Sequence, residues 1–484
     1  MDIGSRKMKI LLVNPPRVDG YPVVREERFE HKDIGSVYPP LSLAHTAALL
    51  EKEGYSVKLL DANGFDLKLV DVRKELKKYQ PEAVLIRTGF DTQKEDLKVL
   101  KLAKEIIGAT TIMRNHIISR TPWLRKKILQ ENDFVDIFLN QEPESVVVSL
   151  MRTLENKKSF KGVLGISFRQ AGKIINNRNA RLATNLDSLP FPAWHLLPTL
   201  DVYYSGTFGP PFVMIQGSRG CPFDCAFCAY GQTPYRTRSP ENIADEIEWL
   251  VAKYKIHDFC FWDDVATLDA ERMIKISKAI IDKKLNLRWS VGIRATSVSF
   301  KMMKYMKQAG CDEIAAGVES GSEKILKKVN KRATLADIKK AATICHQLKI
   351  KFYAMFIIGL PGETEETVKE SINFAKNLKP FYTQFCFATP FPNTRIYQYY
   401  KKNRLLLTED WRQYFPLSDE PVIRTKALSK KDLIRLRNKA YRQTLLNPKY
   451  LLSQISLTDW RWNWRANQEL GKRIMATLSL KPVR

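Results

Sequence analysis

The sequence has 484 residues, roughly three times the size of a common single domain, so two or three domains are expected. Hydrophobic residues make up 44% of the chain and aromatic residues 10%, which excludes a disordered protein. The net charge of +27 fits nucleic acid, an anionic membrane surface, an acidic substrate or a lysine-rich proteome. No apolar stretch reaches the ~18 residues of a membrane-spanning helix and no signal peptide precedes the first strand, which together predict a soluble, cytoplasmic protein.

Short apolar strands alternate with helical stretches over residues 8–145. Strands are expected near 9–13, 56–60, 83–86, 110–113 and 134–139, with helices near 41–53, 67–79 and 93–107. Alternation at this spacing indicates right-handed βαβ units and therefore a doubly wound parallel sheet. The opening strand ends in Asn14-Pro15-Pro16 and has no GxGxxG, so dinucleotide binding has little support.

Three further regions complete the expected α/β organisation. Residues 146–205 are predicted to be an irregular linker, because a polar stretch leads into a proline-rich segment. Over residues 206–398 six strands and five helices alternate, which predicts a partial (β/α)6 barrel with its chemistry at the carboxyl ends of the strands. Residues 399–484 are predicted to be a basic helical region, since 19 lysines and arginines stand there against 7 aspartates and glutamates after residue 399.

A group of three cysteines carries the clearest chemical signal. Cys221, Cys225 and Cys228 form a CxxxCxxC pattern directly after the first barrel strand, with Phe227 before the last cysteine. Zinc sites prefer four ligands in paired spacing, and no fourth cysteine or histidine stands near this group in the sequence. Three thiolates suit an iron–sulfur cluster better, because one iron then stays open for another ligand.

Residues 205–395 resemble the radical S-adenosylmethionine (radical SAM) superfamily through this cysteine pattern. The resemblance implies that the three cysteines hold one four-iron four-sulfur cluster, and that S-adenosylmethionine chelates the fourth iron. One electron from the cluster would then cleave S-adenosylmethionine to methionine and a 5′-deoxyadenosyl radical. The resemblance also implies an electron donor such as flavodoxin or ferredoxin.

Further motifs follow the barrel strands where members of this family bind S-adenosylmethionine. They are Phe261-Trp262-Asp263-Asp264, Arg294, Gly317-Val318-Glu319-Ser320 and Ile358-Gly359-Leu360-Pro361-Gly362-Glu363. The residues that the resemblance implies as contacts of S-adenosylmethionine are Phe227, Asp263, Arg294, Glu319, Ser320 and Gly359. Each motif alone could be a loop or a cap, and their succession at successive strand ends supports the prediction.

The amino-terminal domain resembles the cobalamin-binding domain that precedes many radical SAM barrels. The likeness rests on Asn14-Pro15-Pro16, on Tyr38-Pro39-Pro40-Leu41 and on residues 54–61. It implies a cobalamin site at the strand ends, lined by Asn14, Pro15, Tyr38, Pro39, Leu41 and Thr92. The family's DxHxxG motif is missing, and residues 113–116 and 140–144 carry larger side chains than usual. An empty domain that docks substrate or covers the barrel therefore stays open as an alternative.

These features together predict a cobalamin-dependent radical SAM methyltransferase that acts on an unactivated carbon or phosphorus of a small-molecule or lipid-like substrate. The alternative is a radical SAM cyclase, isomerase or carbon–carbon bond-forming enzyme, with or without cobalamin. An RNA-modifying enzyme and nucleic-acid binding are less favoured. With no cysteine before Cys221, the methylthiotransferase branch with its amino-terminal cluster domain is excluded.

The carboxy-terminal tail interleaves indoles with guanidinium groups in Trp460-Arg461-Trp462-Asn463-Trp464-Arg465. Three interpretations stay open for it. Packing of the tail onto the barrel is favoured, followed by peripheral attachment to the inner face of a membrane and then by RNA stacking.

Overall fold

The structure is a computed structural model that describes residues 7–26, 29–32 and 35–445. The chain forms two compact units, of which the first ends at Tyr203 and the second begins at Tyr204. No helix within the described residues is long and apolar enough to cross a membrane.

The first unit is built on a seven-stranded sheet. The strands of the whole unit, of which β2, β3 and β4 lie outside this sheet, are β1 (Lys9–Asn14), β2 (Val23–Glu26), β3 (Phe29–Lys32), β4 (Ser36–Val37), β5 (Ser56–Asp61), β6 (Ala83–Arg87), β7 (Thr110–Arg114), β8 (Ile137–Leu139), β9 (Ile166–Gln170) and β10 (Lys173–Asn176). Its helices are α1 (Leu41–Lys52), α2 (Leu69–Tyr79), α3 (Gln93–Ile107), α4 (His116–Ser119), α5 (Pro122–Glu131) and α6 (Val147–Glu155).

The order of the strands confirms a doubly wound sheet. Neighbours follow the order β10-β9-β8-β7-β6-β1-β5, in which β8, β7, β6, β1 and β5 are parallel. The central strands β1 and β6 are continuous apolar runs because helices cover both faces of such a sheet. The chain leaves β1 towards β5 and then returns to the other side of β1 at β6, so the switch point of the topology lies between β1 and β6. Doubly wound sheets bind ligands at the carboxyl ends of the strands at this point.

The prediction of an irregular linker over residues 146–205 is wrong for residues 147–176. Helix α6 lies there, and β9 and β10 extend the sheet as an antiparallel hairpin next to β8. The two turn residues, Ala171 and Gly172, both have a positive φ. The hairpin was difficult to predict because this Ala-Gly pair differs from the Asn-Gly pair that is typical of such turns. In addition, only the start of β9 is apolar and the stretch that follows the hairpin is polar.

A buried ion pair fastens the loops at the carboxyl edge of this sheet. Arg25 of β2 donates to both carboxylate oxygens of Asp96, at 2.7 and 3.0 Å, and both side chains are almost fully buried. Arg25 also donates to Asn14 Oδ1 at 3.2 Å. Asp96 accepts two more hydrogen bonds, from the Gly89 amide at 2.9 Å and from Thr92 Oγ1 at 2.8 Å. One carboxylate therefore holds the β2 hairpin and the loop after β6 together.

The second unit contains a six-stranded sheet. The strands of the whole unit, of which β11, β13 and β14 lie outside this sheet, are β11 (Tyr204–Ser205), β12 (Phe212–Ile215), β13 (Ser218–Arg219), β14 (Arg236–Thr237), β15 (Asp258–Phe261), β16 (Arg288–Ile293), β17 (Cys311–Glu319), β18 (Lys351–Ile358) and β19 (Tyr382–Phe387). Its helices are α7 (Pro240–Tyr254), α8 (Ala270–Asp282), α9 (Phe300–Gln308), α10 (Glu323–Lys328), α11 (Leu335–Gln347), α12 (Glu365–Leu378), α13 (Arg395–Lys402) and α14 (Lys430–Leu445).

The large sheet of this unit has the sequential order expected of a partial (β/α)6 barrel. Its strands are β12-β15-β16-β17-β18-β19, and every neighbouring pair is parallel. Along β18 partly exposed and buried residues alternate, because successive side chains point to opposite faces of the sheet. All six carboxyl ends lie at one edge, where the sequence predicts the chemistry.

Over residues 399–445, the described part of the carboxy-terminal region, the chain is less helical than predicted. Between α13 and α14 the chain forms turns and one 3-10 turn at Trp411–Gln413, because Pro416 and Pro421 cannot continue a helix. Helix α14 belongs to the barrel unit, since the Tyr441 hydroxyl lies 3.1 Å from the backbone of Phe385. The tail segment of residues 460–465 lies outside the described residues.

Replacing Asp96 by alanine should strongly destabilise the first unit. The guanidinium of Arg25 would stay buried without its carboxylate, and breaking a buried pair in this way costs about 3–5 kcal/mol of unfolding free energy. Chemical denaturation followed by circular dichroism measures the change. Glu105→Ala is the control, because it removes an exposed pair with Lys101 and should cost less than about 1 kcal/mol. Equal losses in the two variants would contradict the role given to Asp96.

Candidate active site

The three cysteines lie on a loop that two short strands close at its base. Strand β13 precedes the loop and β14 follows it, and the two pair antiparallel. The amide of Cys221 donates to Thr233 Oγ1 at 2.9 Å, and the Thr233 amide donates back to the Cys221 carbonyl at 3.0 Å. Gly220 has φ +88°, and a side chain there would collide with the carbonyl oxygen of Pro234. The start of the loop therefore requires glycine.

Two carboxylates after β15 hold this loop from the neighbouring strand. Asp263 accepts hydrogen bonds from the Gly217 amide at 2.7 Å and from Ser218 Oγ at 2.6 Å. Asp264 accepts one from the Gly220 amide at 2.8 Å. Burial raises the pKa of Asp263, which is only 1% exposed, and the hydrogen bond from Ser218 opposes that rise. Each oxygen of Asp263 thus accepts one hydrogen bond at the base of the loop, and its contact with the methionine amine stays a prediction.

The far side of the cysteine loop is held by the segment after α10. The Ala226 amide donates to the Val329 carbonyl at 2.8 Å. Asp224 accepts from Asn330 Nδ2 at 2.6 Å and forms an ion pair with Arg332 at 3.0 Å. The loop has no regular secondary structure of its own between β13 and β14, and these contacts fix its shape.

The three sulfur atoms act on one another electrostatically. Burial, with a smaller effect of Cys225 and Cys221, raises the pKa of the Cys228 thiol to about 12. Burial likewise raises the pKa of Cys221. The Tyr230 amide donates to Cys228 Sγ at 3.4 Å, and a guanidinium nitrogen of Arg294 lies 3.8 Å from Cys225 Sγ. The loop thus gathers three thiols beside a positive charge.

Across residues 7–26, 29–32 and 35–445, no three His, Cys, Asp or Glu side chains are arranged to hold a single metal ion. A single-ion site such as zinc would need its ligands to converge on one point. In an iron–sulfur cluster each thiolate binds a different iron, so its ligands stand further apart. Three thiols gathered on one loop match the thiolate ligands that iron–sulfur clusters use. Among the remaining cysteines, Cys260, Cys311 and Cys345 are buried, whereas Cys386 is partly exposed.

Arg294, predicted to contact S-adenosylmethionine, contacts both the segment after α10 and the cysteine loop. Its guanidinium donates to the carbonyl oxygens of Lys331 and Arg332 and stacks over the Phe223 ring, with 3.7 Å between the guanidinium carbon and the ring centroid. Its Nε atom is buried without a hydrogen-bond partner. Arg294 therefore links the end of β16 to the cysteine loop.

Glu319 forms an ion pair with Lys331, a residue that the sequence analysis did not select. Lys331 Nζ lies 2.7 Å from Glu319 Oε1 and 5.8 Å from the centroid of the Phe227 ring. A side chain at Gly317 would collide with the Glu319 carboxylate and would come within 3.0 Å of Lys331 Nζ. Phe227, Glu319 and Lys331 are thus brought together beside the cysteine loop. In the sequence Lys331 looks like one more charged loop residue in Asn330-Lys331-Arg332, which is why it was missed.

Ser320 and Gly359, both predicted to contact S-adenosylmethionine, form hydrogen bonds within the barrel unit. Ser320 is fully buried, and its hydroxyl lies 3.2 Å from Ser371 Oγ. At Gly359 the amide donates to Glu363 Oε2 and the carbonyl accepts from the Tyr400 hydroxyl. The polar groups of both residues are used inside the barrel unit. Their contacts with S-adenosylmethionine stay predictions.

The predicted cobalamin residues lie at the carboxyl edge of the first unit's sheet or just before α1. The Asn14 amide donates to Asp61 Oδ1 at 2.8 Å and accepts from Arg25, and Thr92 Oγ1 donates to Asp96. The polar groups of Asn14 and Thr92 are therefore satisfied within the unit. Pro15, Pro39 and Leu41 are buried and Tyr38 is partly exposed. At the same edge Asp91 is 4% exposed, and neither of its oxygens has a hydrogen-bond partner.

Comparison with known proteins agrees with the geometry of the cysteine loop. The family model of the radical SAM superfamily matches residues 215–375. An uncharacterized methyltransferase of Pyrococcus horikoshii is 34% identical over 453 residues, covering 93% of this chain and 95% of that protein. The anaerobic magnesium-protoporphyrin IX monomethyl ester cyclase of Cereibacter sphaeroides is 26% identical, covering 83% of this chain and 66% of that protein. The cytidylyl-2-hydroxyethylphosphonate methyltransferase of Streptomyces wedmorensis is 26% identical and covers 81% of each chain.

Among solved structures, the cobalamin-dependent S-adenosylmethionine radical enzyme OxsB with aqua-cobalamin bound has the same fold. Its TM-score is 0.74 at 18% identity, and the match covers 97% of this chain and 71% of that chain. The family model covers most of the sequential parallel sheet, and the 34% identical relative extends along almost the whole chain. This protein belongs to the radical SAM superfamily.

Proposed function

We propose that this protein is a cobalamin-dependent radical SAM methyltransferase that acts on an unactivated carbon or phosphorus of a small molecule. The observation that carries the proposal is the cysteine loop, which is held at the carboxyl end of the first barrel strand by Asp263 and Asp264. Methyl transfer is supported by the relative from Pyrococcus horikoshii, which is named a methyltransferase and matches nearly the full length.

Each cofactor has residues that fit it. When bound, the cluster supplies one electron that splits S-adenosylmethionine into methionine and a 5′-deoxyadenosyl radical, and cobalamin relays a methyl group. Cys221, Cys225 and Cys228 would hold the cluster, with the charge of Arg294 beside the thiolates. Glu319 and Lys331, each about 10% exposed at the side chain, offer a carboxylate for ribose hydroxyls and an ammonium for a carboxylate. Phe227 supplies an apolar face next to that pair.

For cobalamin the fit rests on the first unit. The switch point between β1 and β6 is where a doubly wound sheet receives a ligand, and the unpartnered carboxyl of Asp91 lies in the loop directly after β6. A buried polar group without a partner is costly unless a ligand supplies one. This observation supports a bound cofactor over an empty domain.

A radical SAM cyclase is the second candidate. It is favoured by one observation, the 26% identity to a magnesium-protoporphyrin IX monomethyl ester cyclase over 83% of this chain. Methyl transfer consumes a methyl group and releases S-adenosylhomocysteine, whereas ring closure does not. The presence or absence of that product separates the two candidates.

As a radical SAM enzyme, the protein needs an electron donor. Arg332 and Arg395 lie on either side of Asp224 on the cysteine loop, and their side chains are 60% and 52% exposed. Two guanidinium groups share one carboxylate there, which leaves positive charge next to the cysteines. This charge supports an acidic donor such as flavodoxin or ferredoxin. Peripheral membrane contact and a lipid-like substrate depend on residues 460–465, outside the described residues, and stay predictions.

Anaerobic reconstitution tests the proposed function directly. The purified protein should bind about four iron and four sulfide per chain and should release 5′-deoxyadenosine from S-adenosylmethionine after reduction. Added cobalamin should be required for release of S-adenosylhomocysteine, measured by mass spectrometry. The triple alanine variant of Cys221, Cys225 and Cys228 should lose the iron and both products. A cluster that survives in that variant, or about eight iron per chain, would refute the assignment.

Replacing Asp263 by alanine should loosen the cysteine loop. The Gly217 amide and the Ser218 hydroxyl would lose their acceptor, so iron retained after reconstitution and gel filtration should fall at least about twofold. Glu271→Ala is the matched control, because Glu271 is exposed at the start of the next helix and its nearest cation, Lys301, is 3.9 Å away. Full iron content in Asp263→Ala would show that the loop does not depend on this carboxylate.

Replacing Lys331 by alanine should weaken binding of S-adenosylmethionine and leave the iron content unchanged. Losing one charge-assisted hydrogen bond costs about 1.5–3 kcal/mol, or roughly 10–100-fold in affinity. Equilibrium dialysis of the reconstituted protein measures the dissociation constant. Glu319→Ala should have a similar effect, whereas Lys324→Ala, an exposed lysine on α10, should have none. Unchanged affinity in both site variants would remove this pair from the site.

A further inference from the structure

Three polar side chains without hydrogen-bond partners lie in one short segment after β6. Both oxygens of Asp91, the hydroxyl of Thr88 and the amide nitrogen of Gln93 are buried and unpartnered. Asp91 is 4% exposed, and Thr88 is fully buried. Buried polar groups in folded proteins are almost always hydrogen-bonded, so three unpartnered groups within six residues call for an explanation.

The backbone of this segment is fixed, so Asp91 is not free to turn away. Asp96 accepts hydrogen bonds from the Gly89 amide and from Thr92 Oγ1, on either side of Asp91. Asp96 is itself held by the buried guanidinium of Arg25. The Thr88 amide also donates to the Arg114 carbonyl at 2.9 Å, which ties the segment to β7. The segment is therefore an ordered part of the sheet edge.

Charged groups from two elements face Asp91. Burial raises the pKa of Asp91 to about 7, and the negative charge of Asp96 on α3 adds to the rise. Lys32 and Arg25, both from the β2–β3 hairpin, lower it. An anionic ligand such as a phosphate would meet the carboxyl groups of Asp91 and Asp96 and would be disfavoured there.

The chemistry of the segment matches a primary amide. Asp91 offers acceptors, Gln93 Nε2 offers a donor, and the hydroxyl of Thr88 can be either. A primary amide carries one carbonyl acceptor and one NH2 donor, so it can satisfy both kinds of group at once. The corrin ring of cobalamin carries several primary amide side chains around its rim. We infer that Asp91, with Thr88 and Gln93, forms the subsite that receives amide side chains of the corrin ring, an inference that rests on the proposed cobalamin dependence.

Binding of two corrinoids to the full chain tests the subsite. Cobalamin and dicyanocobinamide, which lacks the nucleotide tail, are titrated into the wild type, Asp91→Ala and Glu95→Gln, and binding is measured by equilibrium dialysis. Asp91→Ala should lower the affinity for both corrinoids roughly tenfold, the equivalent of one hydrogen bond. Glu95→Gln is the matched control, because Glu95 is exposed on the first turn of α3 and pairs with Lys98. It should leave both affinities unchanged.

The stability of the cofactor-free protein provides a second readout. The pKa of Asp91 is higher in the folded state than in the unfolded state, so the folded state binds more protons and loses stability as the pH rises from about 4 to about 7. Asp91→Asn cannot ionise and should therefore melt at a higher temperature than the wild type at pH 8, with a smaller difference at pH 5. Added cobalamin should reduce the difference at pH 8, because the wild-type carboxyl then gains partners.

The outcomes separate this inference from the proposed function. If the wild type binds both corrinoids and Asp91→Ala binds them equally well, the subsite is wrong and the proposed function stands. If only cobalamin binding is weakened, Asp91 contacts the nucleotide tail and the inference about the ring is overturned. If the wild type binds neither corrinoid, the cobalamin dependence and the subsite fall together, while cleavage of S-adenosylmethionine tests the radical function separately.

Discussion

Loops at the carboxyl ends of parallel strands have backbone N–H groups that no sheet partner satisfies, and in this protein buried or half-buried carboxylates accept several of them. Asp263 and Asp264 do this for the loop that carries the three cysteines. Asp96 does it for the loop after β6, and Asp61 does it after β5, where it accepts from the Gly64 amide at 2.9 Å. These few acceptors fix the base of the cysteine loop and the loops after β5 and β6.

This constraint separates residues that hold the site from residues that are free to contact a ligand. A carboxylate whose oxygens already accept loop hydrogen bonds is committed to the fold, as Asp263 is. Glu319 and Asp91 are different, because one is paired with a lysine side chain and the other has no partner. Side chains of this kind can bind a ligand without breaking a hydrogen bond to the backbone. Both units thus use the same chemical group in two roles.

The sequence was sufficient for the periodic parts of the structure and for the cysteines. Strands such as β1 and β6 could be predicted because a parallel strand buried on both faces must be a continuous apolar run. The hairpin β9–β10 could not, because its Ala-Gly turn carries no strong signal and the segment around it is polar. The cysteine loop was recognisable because three thiols at fixed spacing serve few purposes other than metal chemistry.

The roles of polar residues at strand ends could not be read in the same way. Ser320 and Asn14 stand at strand ends in the sequence, yet their polar groups bond to Ser371 and Asp61, which are distant along the chain. Lys331 stands twelve residues after Glu319, beyond α10, and only the folding of that segment brings its ammonium group back to the strand end. The tertiary structure decides which polar groups at strand ends form hydrogen bonds within the protein. Neither the spacing nor the type of a residue in the sequence shows this.

The end of β17 is irregular at Glu319, the residue predicted to contact S-adenosylmethionine. Pairing between β17 and β18 shifts register between Gly317 and Glu319, and Glu319 adopts φ +65°, a conformation that costs a residue with a side chain about 1–3 kcal/mol. The ion pair with Lys331 and the missing side chain at Gly317 make this conformation tolerable. Asp263, which holds the base of the cysteine loop, is buried and hydrogen-bonded and does not have a positive φ. The strained backbone of Glu319 carries the carboxylate that pairs with Lys331, and this argues that the strand end is shaped for a ligand rather than for stability.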